Sequence, residues 1–338
     1  MNAELEARCK VVVESLGLCS AADVSSVRRL NGGVSSDIAL VIFGNQRACI
    51  KFAIEKLRVD LDWHAPIHRS RAEYAWLTVA AQMVPEAVPK LYGWCESQNG
   101  FAMEYVAGPD VTLWKSDLLA NEYANEEAGT VARNVANILG RIHSASSKQT
   151  FDTTAFNNAT DFESLRIEPY LRFIAQHYPE LRAGICSIAD QLAQSRLALI
   201  HGDVSPKNIL LRGAQPILLD AECASMGDPA FDVAFCLNHL LLKSIHMTRR
   251  AISLQAAVVR FWESYATNID WENSATVESR VATLLPLLML ARVDGKSPVE
   301  YLGEESRALI RQLSQPLIKT PVNSVGALVD AISKGNCA

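Results

Sequence analysis

The sequence predicts an α+β protein of two lobes: a small antiparallel-sheet N-terminal lobe with one helix, over residues 1–106, and a larger, mostly helical C-terminal lobe over 107–338. Three observations lead there. Short runs in which apolar and polar residues alternate crowd the first hundred positions, as strands with one buried face require. Longer runs with apolar residues three and four apart, the spacing of a helix face, fill most of the rest. Between the two regimes Val106-Ala107-Gly108-Pro109 breaks both patterns. A length of 338 residues suits this division, because single cores stop growing beyond ~250 residues.

Taken in order, a helix is expected near 3–16, and the segments 27–30, 38–43 and 47–53 read as strands. The turn Gly44-Asn45-Gln46 joins the last two, which makes an antiparallel meander. The stretch 69–82 (RSRAEYAWLTVAAQ) has helical spacing, and Pro85 and Pro89 end it before strand-like runs at 90–94 and 100–105. Past the break, helical spacing recurs at 125–143, 163–177, 181–194, 251–266, 276–292 and 304–315. One strand-like island, 197–220, interrupts the helices.

Composition removes several function classes. With 49% hydrophobic and 20% charged residues the chain is ordinary globular material, and a formal net charge of −5 offers no basic surface for a phosphate backbone, so nucleic acid is excluded as a main partner. The start MNAELEARCK mixes both charge signs without an apolar core, and the apolar run 281–291 is shorter than the ~20 residues of a membrane span. No membrane partner and a cytoplasmic location are therefore expected. Eight cysteines without a C-x-x-C pair read as reduced thiols filling the core.

The chemistry gathers in the island. His201-Gly202-Asp203-Val204-Ser205-Pro206-Lys207-Asn208 precedes the apolar trio 209–211; after a turn come the trio 217–219 and Asp220-Ala221-Glu222. A hairpin pairing 209 with 219 and 211 with 217 places Asn208 opposite Asp220 at its open end, with side chains ~5 Å apart. An amide oxygen beside a carboxylate is a hard-oxygen site suited to Mg²⁺, which also keeps waters and substrate phosphates. Asp203, five residues upstream of Asn208, is free to face the same cavity. A loop carboxylate, an Asn and a second carboxylate are the parts of a phosphotransferase: a base for the acceptor hydroxyl and two metal ligands.

Through these residues the sequence resembles the aminoglycoside phosphotransferase and choline kinase family, small-molecule relatives of the protein kinases, and within it a bacterial subgroup of unassigned substrate. HGDVSPKNIL is similar to that family's H-G-D-x-x-x-x-N loop, LLDAE to its metal-binding strand end, and GDPAFDVA to its G-D-P-x-x-D-L-A segment. The resemblance implies a protein-kinase-like fold and Mg²⁺-dependent transfer of the γ-phosphoryl group of ATP or GTP to a small-molecule hydroxyl, in an amino alcohol, an aminoglycoside-like or a sugar-like acceptor. It implies Asp203 as base, Asn208 and Asp220 as Mg²⁺ ligands, Asp232 as an anchor for the catalytic loop and His201 as its support. Whether Glu222 or Asp228 assists the metal stays open.

The upstream half can be read against the same resemblance. A nucleotide kinase needs a strand lysine over the phosphates and a helix carboxylate to orient it. Lys51 alternates with apolar neighbours in Cys49-Ile50-Lys51-Phe52-Ala53, and Glu73 follows on the helix, so the resemblance pairs the two. Leu30-Asn31-Gly32-Gly33-Val34-Ser35-Ser36 lacks G-x-G-x-x-G and looks like the family's shorter G-G-x-S/T-x loop. Gly32, Gly33, Ser35 and Ser36 are then the phosphate contacts, since glycine permits close backbone approach. Phe101-Ala102-Met103-Glu104-Tyr105-Val106 resembles the strand-to-linker segment, where backbone groups near Glu104 and Val106 hold the adenine edge. The segment 291–301 (ARVDGKSPVEY) resembles one in bacterial members and receives no role, and no histidine pair has metal-ligand spacing.

Two other readings compete. A protein kinase carries D-F-G and A-P-E, whereas here Asp220-Ala221-Glu222 runs into Gly227-Asp228-Pro229 without room for a peptide-docking activation segment. A catalytically weak pseudokinase or nucleotide-binding scaffold needs no base, yet Lys51, Asp203, Asn208 and Asp220 are all present.

Overall fold

The computed structural model describes residues 3–30, 35–58, 64–120 and 125–336. Helix α1 (Ala3–Ser15) leads into a five-stranded antiparallel sheet formed by β1 (Val24–Arg29), β2 (Ser36–Phe43), β3 (Gln46–Ala53), β4 (Leu91–Cys95) and β5 (Gly100–Glu104), with α2 (Arg69–Met83) inserted after β3. The strand order is β1-β2-β3-β5-β4. Period-two alternation along β3 decides which side chain goes where. Ala48, Ile50 and Phe52 pack with Leu5, Cys9, Val12 and Val13 of α1 on one face, while Cys49 joins Trp76, Leu77 and Ala80 of α2 on the other. Each large apolar side chain so buried contributes ~1.5–3 kcal/mol. Lys51 shares the parity of Cys49 and therefore faces α2. The leading helix thus closes the second face of the sheet, so the sheet carries two covering helices.

Beyond the sheet come β6 (Val111–Leu113), α3 (Trp114–Leu119), α4 (Asn125–Ser146), α5 (Ala159–Phe162), a π-type helical stretch Glu163–Arg172, α6 (Phe173–His177) and α7 (Arg182–Gln194). The single helix expected at 163–177 is thus a composite, widened where Pro169 has no N–H to give to the ladder. The island contains β7 (Ala198–Ile200), β8 (Ile209–Arg212), β9 (Gln215–Leu218) and β10 (Ser225–Gly227); β7 pairs with β10, and β6-β8-β9 form a small sheet. The chain ends in α8 (Pro229–His246), α9 (Ala251–Ala266), α10 (Ser274–Asp294), α11 (Glu304–Lys319) and α12 (Val325–Asn336).

Helix α8 has no counterpart among the segments expected from periodicity, only the resemblance marking a helix start at Asp232, and the reason is physical. Every one of its residues but His246 is buried, so it shows no amphipathic stripe for periodicity to detect. Helix α10, of 21 residues with a mean hydropathy of 1.2 over its most apolar 18, is long and apolar enough to cross a membrane. It packs as a core helix against α8 and α11. The seven cysteines among the described residues are free thiols, as the absence of a C-x-x-C pair suggests; Cys337 lies outside the described residues.

The expected hairpin register is off by one. Ile209 pairs with Leu218 and Arg212 with Gln215, closing a two-residue turn at Gly213 (φ +60°) and Ala214. Pro216, which reads as a turn residue, instead lies in β9, an edge strand where its missing N–H costs no ladder bond. Asn208 consequently faces Leu219, whose N–H donates to the Asn208 carbonyl at 2.9 Å. Asp220 sits one residue further on, at φ +69°.

Candidate active site

Lys51 and Glu73, 22 residues apart, meet under the sheet: the Lys51 Nζ lies 2.8 Å from Glu73 Oε1 and 2.7 Å from Oε2. The same ammonium pairs with Asp220 from the other lobe. Asp220 reaches it because the left-handed backbone at this position turns its side chain out of the β9 line, a conformation that costs a non-glycine residue ~1–3 kcal/mol. Burial opposes the charge on Lys51, but Asp220 and Glu73 outweigh it and hold its pKa above the ordinary lysine value. Asp220 responds in kind. Burial would raise it, and Lys51 with Lys207 hold it well below the usual carboxylate range. Burial pushes Glu73 upward against Lys51.

The loop 201–208 is fixed from beneath. The buried carboxylate of Asp232, in the first turn of α8, accepts the N–H groups of His201 (2.7 Å) and Gly202 (2.8 Å). Gly202 has φ +76°, and a Cβ there would fall 2.7 Å from Cys223 Cβ and 2.8 Å from its carbonyl, so only glycine fits. His201 Nδ1 accepts from Asp203 N–H at 3.2 Å, which leaves Nε2 to donate to Leu219 O at 3.1 Å. Burial keeps this imidazole below its ordinary pKa, and its ring packs edge-on against Trp76. It braces the loop against the end of β9, the supporting part assigned to it from sequence.

Asp203 itself is buried and receives two cations on one oxygen: Arg166 lies 2.9 Å and Lys207 3.3 Å from Oδ2. Burial raises its pKa, and Lys207 with Arg166 more than offset that, leaving it below the ordinary carboxylate value. Each cation makes its closest approach at Oδ2. The Asn208 amide nitrogen donates to Asp203 O at 3.1 Å, which leaves its amide oxygen outside that bond, and in the hairpin register Asn208 lies one position from Asp220.

The Asn208 amide oxygen and the Asp220 carboxylate are a sparse but suitable donor set for Mg²⁺, which keeps waters and takes phosphate oxygens in its remaining positions. Among the described residues no group of three or more His, Cys, Asp or Glu could hold a metal by itself. Neither neighbouring carboxylate is spare. Glu222 pairs with Arg69 at 3.0 Å, and Asp228 caps α8 through Ala230 N–H (2.9 Å) while pairing with Arg280 at 2.8 Å.

Of the expected phosphate loop, Gly32 and Gly33 lie outside the described residues. Ser35 and Ser36 are buried where β2 begins, and Ser36 Oγ has no partner. At the linker, the Glu104 N–H donates to Lys90 O at 2.7 Å and its carboxylate meets Arg212 at 3.2 Å, while Val106 is buried just beyond β5.

Three residues that hold this arrangement went unread in the sequence. Arg69 is fully buried and places all five N–H groups: on Glu222 (3.0 Å), Ala65 O (2.9 Å), Pro66 O (2.7 Å), Ser35 O (2.5 Å) and Ile54 O (2.6 Å). It ties the start of α2, the end of β3 and the start of β2 to the strand end that carries Asp220. Its place one turn before Glu73, on the same helix face, was the available signal. Arg166, from the π-type stretch, donates to Gly202 O at 2.5 Å besides pairing with Asp203. His143 bridges Tyr265 Oη (2.8 Å) and Asp232 (3.3 Å), buried under the loop anchor.

Comparison with known proteins accords with this geometry. Residues 26–273 match the family described as the phosphotransferase enzyme family. A methylthioribose kinase of Klebsiella pneumoniae is 24% identical over 253 residues, 67% of this chain and 62% of the relative. The chain therefore spans under two thirds of that kinase. Among solved structures, an ethanolamine kinase of Plasmodium vivax superposes with a TM-score of 0.55 at 13% identity, covering 100% of this chain and 89% of the other. An amicoumacin kinase in complex with AMP-PNP and Ca²⁺ gives 0.55 at 14% identity, covering 96% and 98%. These share the protein-kinase-like fold.

Proposed function

The chain belongs to the phosphotransferase enzyme family, and on that premise we propose that it transfers the γ-phosphoryl group of ATP, or GTP, to a hydroxyl of a small molecule in a Mg²⁺-dependent reaction. The observation that carries this reading is the convergence of Lys51 with Glu73 and Asp220 from separate segments, near a loop in which Asn208 bonds to the buried Asp203.

Residues 1–106 serve as the nucleotide-binding lobe and 107–338 as the catalytic and acceptor-binding lobe. Lys51, oriented by Glu73, holds the nucleotide phosphates; Gly32, Gly33, Ser35 and Ser36 cover them, and backbone groups near Glu104 and Val106 hold the adenine edge. Asn208 and Asp220 hold Mg²⁺, which when bound neutralises charge developing on the transferred group. Asp203 orients the acceptor hydroxyl. As the new O–P bond forms and the bond to the nucleotide diphosphate breaks, the hydroxyl proton passes to Asp203. Its lowered pKa makes it a weak base, so the proton moves late, once the hydroxyl oxygen is already bonding to phosphorus. The reaction is placed in the cytoplasm, without nucleic-acid or membrane partners.

The test is an acceptor screen with the intact protein and Mg²⁺-ATP, scored by ADP release and by mass of the phosphorylated product. Its panel starts from methylthioribose, ethanolamine and amicoumacin, the compounds for which the similar kinases are named, and extends across sugars, amino alcohols and hydroxy acids. Tight Mg²⁺-nucleotide binding with no acceptor turned over would favour a nucleotide-binding scaffold instead.

A further inference from the structure

The segment 291–301, left without a role by the sequence, is a constructed loop. Arg292 donates to Ser297 Oγ at 2.9 Å, and Arg307 donates to Leu302 O and Val299 O at 3.0 Å each. Gly295 has no room for a side chain, because a Cβ would fall 2.4 Å from Ala291 O. Held in this way, the loop brings Glu300 to Lys115 of α3 and sets the Tyr301 ring 4.9 Å from the Lys243 ammonium of α8.

Lys243 lies on one face of α8 with Phe235 and His239, at four-residue spacing. That face begins at the catalytic loop. Phe235 packs 5.8 Å from the Arg166 guanidinium that pairs with Asp203, and 5.6 Å from the Tyr170 ring. The Tyr170 hydroxyl in turn accepts from Arg292 at 3.1 Å. A continuous wall therefore runs from Asp203 to Lys243 and Tyr301.

The charges along this wall do not balance. At the far end Lys115, Lys243 and Arg292 face one carboxylate, Glu300, already paired with Lys115, while at the near end Arg166 and Lys207 face Asp203 with Asp220 and Glu222 beyond it. Lys243 is 1% exposed and, among the described residues, makes no ion pair or hydrogen bond; Glu300 acts on it only from beyond contact range. Tyr301 Oη and Arg292 Nε are buried without partners as well. Burial first, then Lys115 and Arg292, push Lys243 down to about 7. A desolvated ammonium, a guanidinium edge and a phenol left unpaired together are costly to keep in a folded chain and are satisfied at once by an oxyanion.

We propose that Lys243, Arg292 and Tyr301 bind an oxyanion of the acceptor, so that the molecule phosphorylated carries a carboxylate or phosphate besides the hydroxyl presented to Asp203. This rests on the small-molecule kinase reading and narrows its substrate class. A cationic acceptor would be repelled here, and a neutral one would leave the buried charges unpaired.

The experiment uses the intact protein with Mg²⁺-ATP, measuring ADP release. Hydroxy acids (glycerate, gluconate) and phosphate monoesters (glycerol 3-phosphate, ribose 5-phosphate) are each compared with a neutral parent (glycerol, glucose, ribose), with choline as the cationic case. Anionic acceptors should have the higher kcat/KM, and Lys243→Met should raise their KM by ~10–100-fold, the worth of a hydrogen bond to a charged group. The same substitution should lower kcat much less and erase the preference over neutral parents, while Lys243→Arg retains part of it. The carboxylate and phosphate arms identify the oxyanion. Equal use of charged and neutral acceptors, preference for choline, or an unchanged KM in Lys243→Met would overturn the inference and leave the kinase reading intact. Turnover of no acceptor, with nucleotide still bound, would overturn the kinase reading and this inference with it.

Discussion

Lys51 and Lys243 are buried almost equally, at 3% and 1% exposure, yet their surroundings drive them in opposite directions. Lys51 meets Glu73 and Asp220, and its charge is held more firmly than in water. Lys243 meets an aromatic face and other cations, and its pKa falls to about 7. Desolvation is common to both; the partner decides the outcome. One ammonium is complete within the protein and is the one we propose to hold the nucleotide phosphates, whereas the other is left incomplete and so is set to recognise something that arrives.

The sharpest break of the first half of this comparison is at the chemistry that Lys51 serves. Asp203→Ala should lower kcat by ~10²–10⁴, the range of general-base catalysis, with the KM for ATP changed little; near-normal kcat would remove Asp203 from the mechanism. Next in size, Asp220→Ala should weaken Mg²⁺-dependent nucleotide binding by more than the ~10–100-fold typical of losing an outer-shell partner, while binding without metal stays close to wild type. Equal losses with and without Mg²⁺, by titration calorimetry, would contradict the ligand role. Lys51→Ala and Glu73→Ala should each impair turnover, and the double variant should cost much less than their product because Glu73 acts through Lys51. Fully multiplicative effects would mean that they do not cooperate.

The smallest effect sharpens the second half. Lys243 has a folded-state pKa of about 7, against ~10.4 in an unfolded chain. Between those values the unfolded state binds more protons, so native stability relative to Lys243→Met rises with pH across that window. The thermal advantage of Lys243→Met should therefore be largest at pH 7 and below and shrink toward pH 10. An advantage independent of pH would show that Lys243 is not an uncompensated charge.

What the sequence made legible followed from local rules. The resemblance paired Lys51 with Glu73, which meet in the fold, and the spacing of Asp203, Asn208 and Asp220 singled out the loop 201–208. Pro216 misled the hairpin register because a proline in an edge strand looks like a proline in a turn. Helix α8 escaped because it is buried on every side and has no polar face to set a period. Arg166 and His143 act through partners 36 to 122 residues away in the chain, so nothing local marks them, whereas Arg69 was marked only by its place one turn before Glu73. Lys243 was invisible for another reason: a lysine in an apolar helix signals only when the absence of its partner can be seen.

One substitution at two positions tests the comparison most directly. Methionine keeps the length of a lysine side chain and removes its charge, so Lys51→Met and Lys243→Met can be compared by thermal unfolding at pH 7 without ligand. Lys51→Met strands the buried carboxylate of Glu73 and unpairs the half-buried Asp220, and breaking a buried pair costs ~3–5 kcal/mol, so its Tm should fall. Lys243→Met relieves an unpaired buried charge, so its Tm should rise. Shifts of the same sign in both variants would contradict the account, because burial alone would then explain the two lysines and neither site would have been distinguished by its partners.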